Sequence, residues 1–81
     1  MVITSAKQLA VFIRDYRKQH NISQSKISSL VGVRQSTVSA FENTPGITKL
    51  DTLFRILAAT KLEIKINPRG GEKKSKRKDE W

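Results

Sequence analysis

The stretch Ser23–Asn43, SQSKISSLVGVRQSTVSAFEN, decides the fold, because it reads as two short amphipathic helices joined through one glycine. The hydroxyl of Ser23 is suited to cap a helix over residues 24–31, since it can accept a bond from an otherwise unpaired backbone N–H. Gly32 follows, and glycine readily adopts the positive φ at which helices often end. A second helix is predicted over residues 35–43. The buried face of the helix over residues 24–31 is expected to be Ile27, Leu30 and Val31. The side chains expected to pack the two helices crosswise are Ile27, Leu30, Val33, Val38 and Phe41.

The outward face of the second helix carries side chains that are short, or planar and polar. A helix that merely solvates a surface more often carries Glu and Lys at such positions. Short and planar polar groups are what reading base edges in the DNA major groove requires. The sequence therefore predicts a DNA-binding helix-turn-helix, whose base-reading candidates are Arg34, Gln35, Ser36, Ser39 and Ala40.

Two further helices flank this motif. The first is predicted from Ser5 to His20, capped by Thr4 or Ser5. Its apolar stripe is Leu9, Phe12, Ile13 and Tyr16, with Lys7, Arg14, Arg17 and Lys18 largely off the stripe. After a break at Thr44-Pro45-Gly46, a fourth helix is predicted over residues 49–60, capped by Thr48. The stripe of this helix is Leu50, Leu53, Phe54 and Leu57.

The periodicity changes after the fourth helix, where Leu62, Ile64 and Ile66 alternate with polar residues. Such alternation predicts a short half-buried strand. No other segment alternates convincingly, and a lone strand leaves its backbone N–H and C=O groups unpaired. We therefore predict a homodimer in which these three residues form a strand paired with the same strand of a second molecule. The alternative is an irregular terminal segment folded back on its own domain.

Taken together, the patterns predict an all-α fold. Residues 1–66 would form a compact four-helix domain with one C-terminal strand, and residues 67–81 a basic flexible tail.

The 81 residues include 16 Lys and Arg against 7 Asp and Glu, a net charge of +9. Residues 1–68 hold ten of these bases and four of the acids, so the domain itself is basic at +6. Such a charge on a small domain indicates a polyanionic partner, most commonly nucleic acid.

Composition also excludes several kinds of site. The chain has no cysteine and one histidine, which argues against disulfides and zinc; we expect neither metal nor cofactor. It has no apolar run of the length that a membrane span needs and no signal-peptide pattern, so we expect no membrane partner. These features predict a cytoplasmic, nucleoid-associated prokaryotic protein.

The residues from the first helix to the fourth resemble the Xre/Cro-type helix-turn-helix repressor family. The likeness rests on Gln24 after the capping serine, Gly32 nine residues after that cap, the run Gln-Ser-Thr-Val-Ser at 35–39, and the Glu42-Asn43 ending. Within the family the chain resembles the HipB-type antitoxins. That likeness adds Gln-Leu-Ala at 8–10, Phe-Glu-Asn at 41–43, the apolar strand, and the terminal Glu80-Trp81.

The resemblance implies roles for individual residues. The base-reading candidates would lie in the major groove, with Arg34 bonded to a guanine, Gln35 to an adenine, and the methyl of Ala40 against a thymine methyl. Gln24 would bond a phosphate at the N-terminal end of its helix. The further phosphate candidates are Lys26, Thr37, Asn43 and Lys49.

Other interpretations of these residues stay open. Arg34 can equally contact a phosphate, and Lys26 and Lys49 can be plain solvated charges. Thr37 and Ser28 can simply be small polar residues in a helix, and Glu42 and Asn43 can serve helix termination and internal hydrogen bonding. The chain also departs from the common family pattern at Arg34 and at Thr44-Pro45-Gly46, so its operator sequence cannot be taken from a relative.

The tail ends in the chain's one tryptophan, Trp81. We interpret it as an anchor that docks into an apolar pocket of a protein partner; the alternative is an unconstrained terminal residue. In HipB-type antitoxins the tail and terminal Trp are associated with a toxin partner, a HipA-type kinase. The basic tail residues can also touch phosphates, or merely solubilise the chain.

Two functions from the same fold remain at this point. The first is an autoregulatory antitoxin, a dimer on a palindromic double-stranded DNA operator that also binds a HipA-type kinase toxin. The second is a stand-alone, phage-like repressor without a toxin. Catalysis is set aside, since His20 is solitary, the acidic residues form no motif and no glycine-rich phosphate loop exists.

Overall fold

The computed structural model describes residues 2–69, which form the predicted all-α fold of four α-helices. A short 3-10 turn lies at the predicted break before the fourth helix. The elements in chain order are α1 (Ala6–Gln19), α2 (Gln24–Val31), α3 (Gln35–Asn43), the 3-10 turn (Pro45–Ile47) and α4 (Leu50–Thr60). Within that range, no helix has the length and apolar character needed to span a membrane. The predicted bounds of α2 and α3 are confirmed.

Serine side chains begin the first two helices. The Ser5 hydroxyl accepts a bond from the Gln8 N–H at 3.1 Å, and the Ser23 hydroxyl accepts one from the Lys26 N–H at 3.0 Å. Gly32 ends α2 at a φ of +70°, a conformation that costs a residue with a side chain more than it costs glycine. The capping prediction at Ser23 and the stop at Gly32 are confirmed, and Ser5 rather than Thr4 caps α1.

The start of α4 differs from the prediction. Lys49 stands at the N-cap position instead of Thr48, and its side chain makes no capping bond. The reason is the preceding 3-10 turn, because the Thr48 N–H bonds the Pro45 carbonyl and Thr48 closes that turn. The helix therefore begins one residue later.

The core lies where the four helices meet. Ile13 of α1, Ile27 of α2, Val38 of α3 and Ile56 of α4 are all fully buried, so each helix contributes one central aliphatic side chain. Ala10, Phe41 and Leu57 complete the buried set. Six of these seven buried side chains are aliphatic, which agrees with an aromatic content of only 6% in the sequence.

Three apolar side chains expected in the core are exposed. Leu30 is 58% exposed, Leu50 69% and Phe54 54%. On α4 the apolar surface is wider than one chain can cover: Ile56, which the predicted stripe omitted, takes the central position. Leu50 and Phe54, one turn apart, lie at the uncovered edge of that surface.

Residues 62–69 form neither helix nor strand. The Leu62 N–H bonds the Leu57 carbonyl at 2.9 Å and its side chain packs against the core, whereas Ile64 is 40% and Ile66 91% exposed. A β-ladder needs a second strand, and residues 2–69 of a single chain contain none. The pairing of this segment across a dimer therefore stays a prediction, and residues 70–81 of the tail, with Trp81, lie outside the described residues.

Candidate nucleic-acid interface

The outer face of α3 carries the base-reading candidates. Successive residues of a helix are about 100° apart, so the buried Val38 and Phe41 define one side of α3. By the same spacing, Ser36, Ser39 and Ala40 lie on the opposite side, and Gln35 lies at its edge, about 60° from Val38. Gln35 and Ser36 are exposed there, and Ser39 and Ala40 are half-buried. The structure thus brings these four side chains together on a single polar face.

Arg34 stands immediately before this face, as the N-cap residue of α3. Its side chain is exposed and makes no capping bond to the helix. The two ion pairs within residues 2–69 join Arg14 to Asp15 and Arg17 to Glu42, so neither engages the Arg34 guanidinium. Its five N–H donors are therefore available for an external acceptor.

The turn between α2 and α3 is held by a side chain. The Ser28 hydroxyl donates to the Val33 carbonyl, and Gly32 supplies the left-handed residue at the same turn. Val33 itself packs against the core. Ser28 is therefore more than a small polar residue filling a helix, because its hydroxyl bonds α2 to the turn that leads into α3.

The phosphate candidates are placed in different settings. Lys26 and Lys49 are exposed, and Thr37 is half-buried at the edge of α3. Asn43 is exposed on the same side as the base-reading residues, and its amide donates to the Ser39 hydroxyl at 3.2 Å. Gln24 is half-buried, and its amide already donates to Glu42.

A buried polar cluster links this face to the rest of the domain. The Arg17 guanidinium donates to both carboxylate oxygens of Glu42, from Nε at 2.8 Å and from Nη2 at 3.0 Å. Its Nη1 also donates to the Ile22 carbonyl at 3.0 Å. The amide Nε2 of Gln24 donates to Glu42 Oε1 at 3.0 Å. One carboxylate therefore joins the end of α1, the start of α2 and the end of α3.

The position of Arg17 differs from the prediction. The helical period predicts it largely off the apolar stripe of α1, yet it is only 8% exposed. The signal was available, because Arg17 follows the buried Ile13 by four residues and Ala10 by seven, which puts all three on one helix face. For Glu42 the interpretation as an internal hydrogen-bonding group is confirmed.

The charge of this region is positive. Residues 21–49 contain Lys26, Arg34 and Lys49 and a single acidic residue, Glu42. The carboxylate of Glu42 is only 5% exposed and is paired with Arg17. The three exposed cations thus face solvent without an exposed carboxylate in the same segment, which suits a polyanion.

Comparison with known proteins agrees with this geometry. A family model described as helix-turn-helix matches residues 13–66. Antitoxin HipB of Escherichia coli strain K12 is 38% identical over 64 residues, which are 79% of this chain and 73% of that protein. HipB of Escherichia coli strain CFT073 is also 38% identical over 64 residues, which are 79% of this chain and 68% of that protein.

Solved structures give the same result. The one described as "HipB-O4 20mer complex" superposes with a TM-score of 0.83 at 35% identity, covering 85% of this chain and 97% of that one. The "HipA-HipB-O2-O3 complex" matches with the same values. The fold, the family match and these relatives together show the family. The chain belongs to the HipB-type antitoxins of the Xre/Cro helix-turn-helix family.

Proposed function

We propose that the protein is a homodimeric repressor that binds a palindromic operator through α3, and that it is the antitoxin of a HipA-type serine/threonine kinase. The observation that carries the DNA-binding part is the exposed polar face of α3, which starts at an unpaired Arg34 and opposes the buried Val38 and Phe41. Its relatives named HipB, one of them in a complex with HipA, support the antitoxin part.

In this proposal α3 enters the major groove. Arg34 and Gln35, at its N-terminal end, make bidentate bonds to a guanine and an adenine, each worth about 1–3 kcal/mol of discrimination. Ser36 and Ser39 bond base edges, and the methyl of Ala40 touches a thymine methyl. This assignment uses the part of α3 that helix-turn-helix proteins present to bases.

Phosphate contacts then hold the domain in register. Their proposed donors are Gln24, Lys26, Thr37, Asn43 and Lys49. Such contacts supply affinity and orientation but carry no sequence information. The half-buried Thr37 and the internally bonded Asn43 each keep hydrogen-bonding capacity, since a hydroxyl and an amide each offer more than one bond.

The uncovered apolar side chains support the dimer. Leu50 and Phe54 extend the apolar surface of α4 beyond the core of one chain, and Ile64 and Ile66 are exposed in the segment that follows. Water-exposed side chains of this size favour burial against a second molecule. A symmetric dimer would place two α3 helices on half-sites about one helical turn, ~34 Å, apart.

As an antitoxin, the protein would bind a HipA-type kinase. Trp81, with the basic tail that precedes it, is the proposed anchor for that kinase. A protein with these two partners would act in the cytoplasm, in contact with the nucleoid.

Two measurements test the proposal. DNase footprinting on the DNA upstream of the protein's own gene should show a palindromic protected site, which Gln35→Ala should weaken. A pull-down with the full chain and with a chain ending at Pro68 should retain a kinase-like protein, less firmly with the shorter bait. Absence of any protected site would refute the repressor, whereas a protected site without a kinase partner would favour a stand-alone repressor.

A further inference from the structure

We infer that the end of the tail, residues 76–81, docks in a groove along α1 of its own domain when no protein partner holds Trp81. The groove lies between residues 2–5 and α1, and its volume is about 720 Å³. Sites for small molecules have volumes of roughly 300–1,000 Å³, so the groove has room for an indole and its neighbours. The inference goes beyond the proposed function, because it gives Trp81 a second binding place within the protein itself.

The lining of the groove is largely apolar and aromatic. Ile3, Phe12 and Tyr16 are half-buried, whereas Val2 is 81% and Val11 39% exposed. The rings of Phe12 and Tyr16 are stacked, with their centroids 6.3 Å apart. Aromatic rings favour aromatic neighbours, and an indole gains by moving its apolar surface out of water. This lining therefore suits the indole side chain of a tryptophan.

Hydrogen bonds hold the two sides of the groove together. The Thr4 N–H donates to Gln8 Oε1 at 2.7 Å, and the Gln8 N–H donates to the Ser5 hydroxyl at 3.1 Å. These bonds tie residues 2–5 to the first turn of α1, so the groove is formed before anything enters it. A preformed site loses less conformational freedom on binding than one that must be assembled.

The charges of the groove match those of the tail. Its two charged lining residues are Lys7 and Asp15, which eight residues of helix place about 12 Å apart. The tail changes from basic residues 76–78 to acidic residues 79–80, and positions 76 and 80 of an extended chain are about 13 Å apart. The tail can therefore lie with its bases beside Asp15 and its acids beside Lys7. The contact of Asp15 with Arg14, at 3.5 Å, leaves the carboxylate further acceptor positions.

The tail is also long enough to reach the groove. Trp81 follows Arg69, the last described residue, by twelve positions. Twelve residues span at most about 40 Å, more than the ~30 Å diameter of a small domain. One indole occupies one site at a time, so docking in the groove would compete with a partner that binds Trp81. This last consequence rests on the proposed function, whereas the docking itself does not.

Intrinsic fluorescence of the full chain tests the docking, because Trp81 is the chain's one tryptophan. The docked indole should emit at a shorter wavelength than N-acetyltryptophanamide and should be protected from quenching by acrylamide. Val11→Arg puts a bulky cation into the groove, so both the blue shift and the protection should be lost. Ile47→Arg is the matched control: it adds the same charge at an exposed apolar residue outside the groove and should change neither.

A charge exchange tests the orientation of the tail. Asp15→Lys should reduce the protection of Trp81, and adding Arg77→Glu should restore it. Failure of the second change to restore protection would overturn the proposed pairing.

Three results would overturn the docking itself. They are free-indole emission from the unaltered chain, equal effects of Val11→Arg and Ile47→Arg, and an emission shift on dilution, which would place Trp81 against a second molecule. The readout involves neither DNA nor a kinase. The docking can therefore fail while the proposed function stands, and a missing operator footprint would leave the docking untouched.

Discussion

Replacing Arg34 by Lys distinguishes reading of a base from contact with the backbone. Arg34 is exposed, and its side chain makes no capping bond to the helix. It also takes part in neither of the two ion pairs within residues 2–69. Arg34→Lys should therefore change the free energy of unfolding by less than about 0.5 kcal/mol. Any change in DNA affinity then reports the contact itself.

The magnitude follows from the geometry of the two side chains. A guanidinium can bond guanine O6 and N7 together, whereas a lysine ammonium acts as a point charge. Losing the bidentate contact should cost about 1–3 kcal/mol per half-site, or roughly 5- to 150-fold in affinity, and should relax base preference at one position in each half-site. The salt dependence should stay unchanged, because the charge is kept.

The assay is anisotropy titration of operator duplexes carrying each base at that position, at several salt concentrations, with Arg34→Ala as the companion variant. The reasoning would be refuted if Arg34→Lys bound like the unaltered protein with the same base preference. A fall of about one unit in the salt slope for Arg34→Ala alone would then assign Arg34 to a phosphate.

Three further outcomes are expected. Ile56→Ala should lower the free energy of unfolding by about 2–5 kcal/mol in urea denaturation, because it leaves a cavity at a fully buried site between helices. A free energy of unfolding unchanged within experimental error would mean that the core is not centred on Ile56. Phe54→Ser should shift the protein from dimer to monomer in sedimentation experiments, whereas Val11→Ser, which alters an exposed apolar residue of α1, should not. An unchanged mass for Phe54→Ser would exclude that edge of α4 from the interface. Trp81→Ala should weaken the complex with the kinase partner, measured by calorimetry, and equal affinity would contradict the anchor.

Local features of the chain were sufficient to predict most of the fold. The Ser23 cap, the Gly32 stop and the break at Pro45 act through neighbouring backbone groups, so they operate wherever the segment is placed. The 3.6-residue period likewise separates the inner and outer faces of α3, which is why its polar face could be assigned before any packing was known.

The exposed side chains of α4 show where such reasoning stops. Leu50 and Phe54 satisfy the same spacing as Leu57, yet only Leu57 is buried. Periodicity identifies an apolar surface but not how much of it one chain covers, because that depends on how the other helices are arranged in space.

What the sequence by itself determined is therefore the set of helices, the residues on each face of α3, and the basic character of the domain, since all of these depend on neighbours in the chain. What only the tertiary structure decided is the cluster of Arg17, Gln24 and Glu42. Glu42 follows Arg17 by 25 residues and Gln24 by 18, and its partners are chosen by the packing of three helices. A charge can be buried only where such partners converge on it, and no local pattern records that convergence.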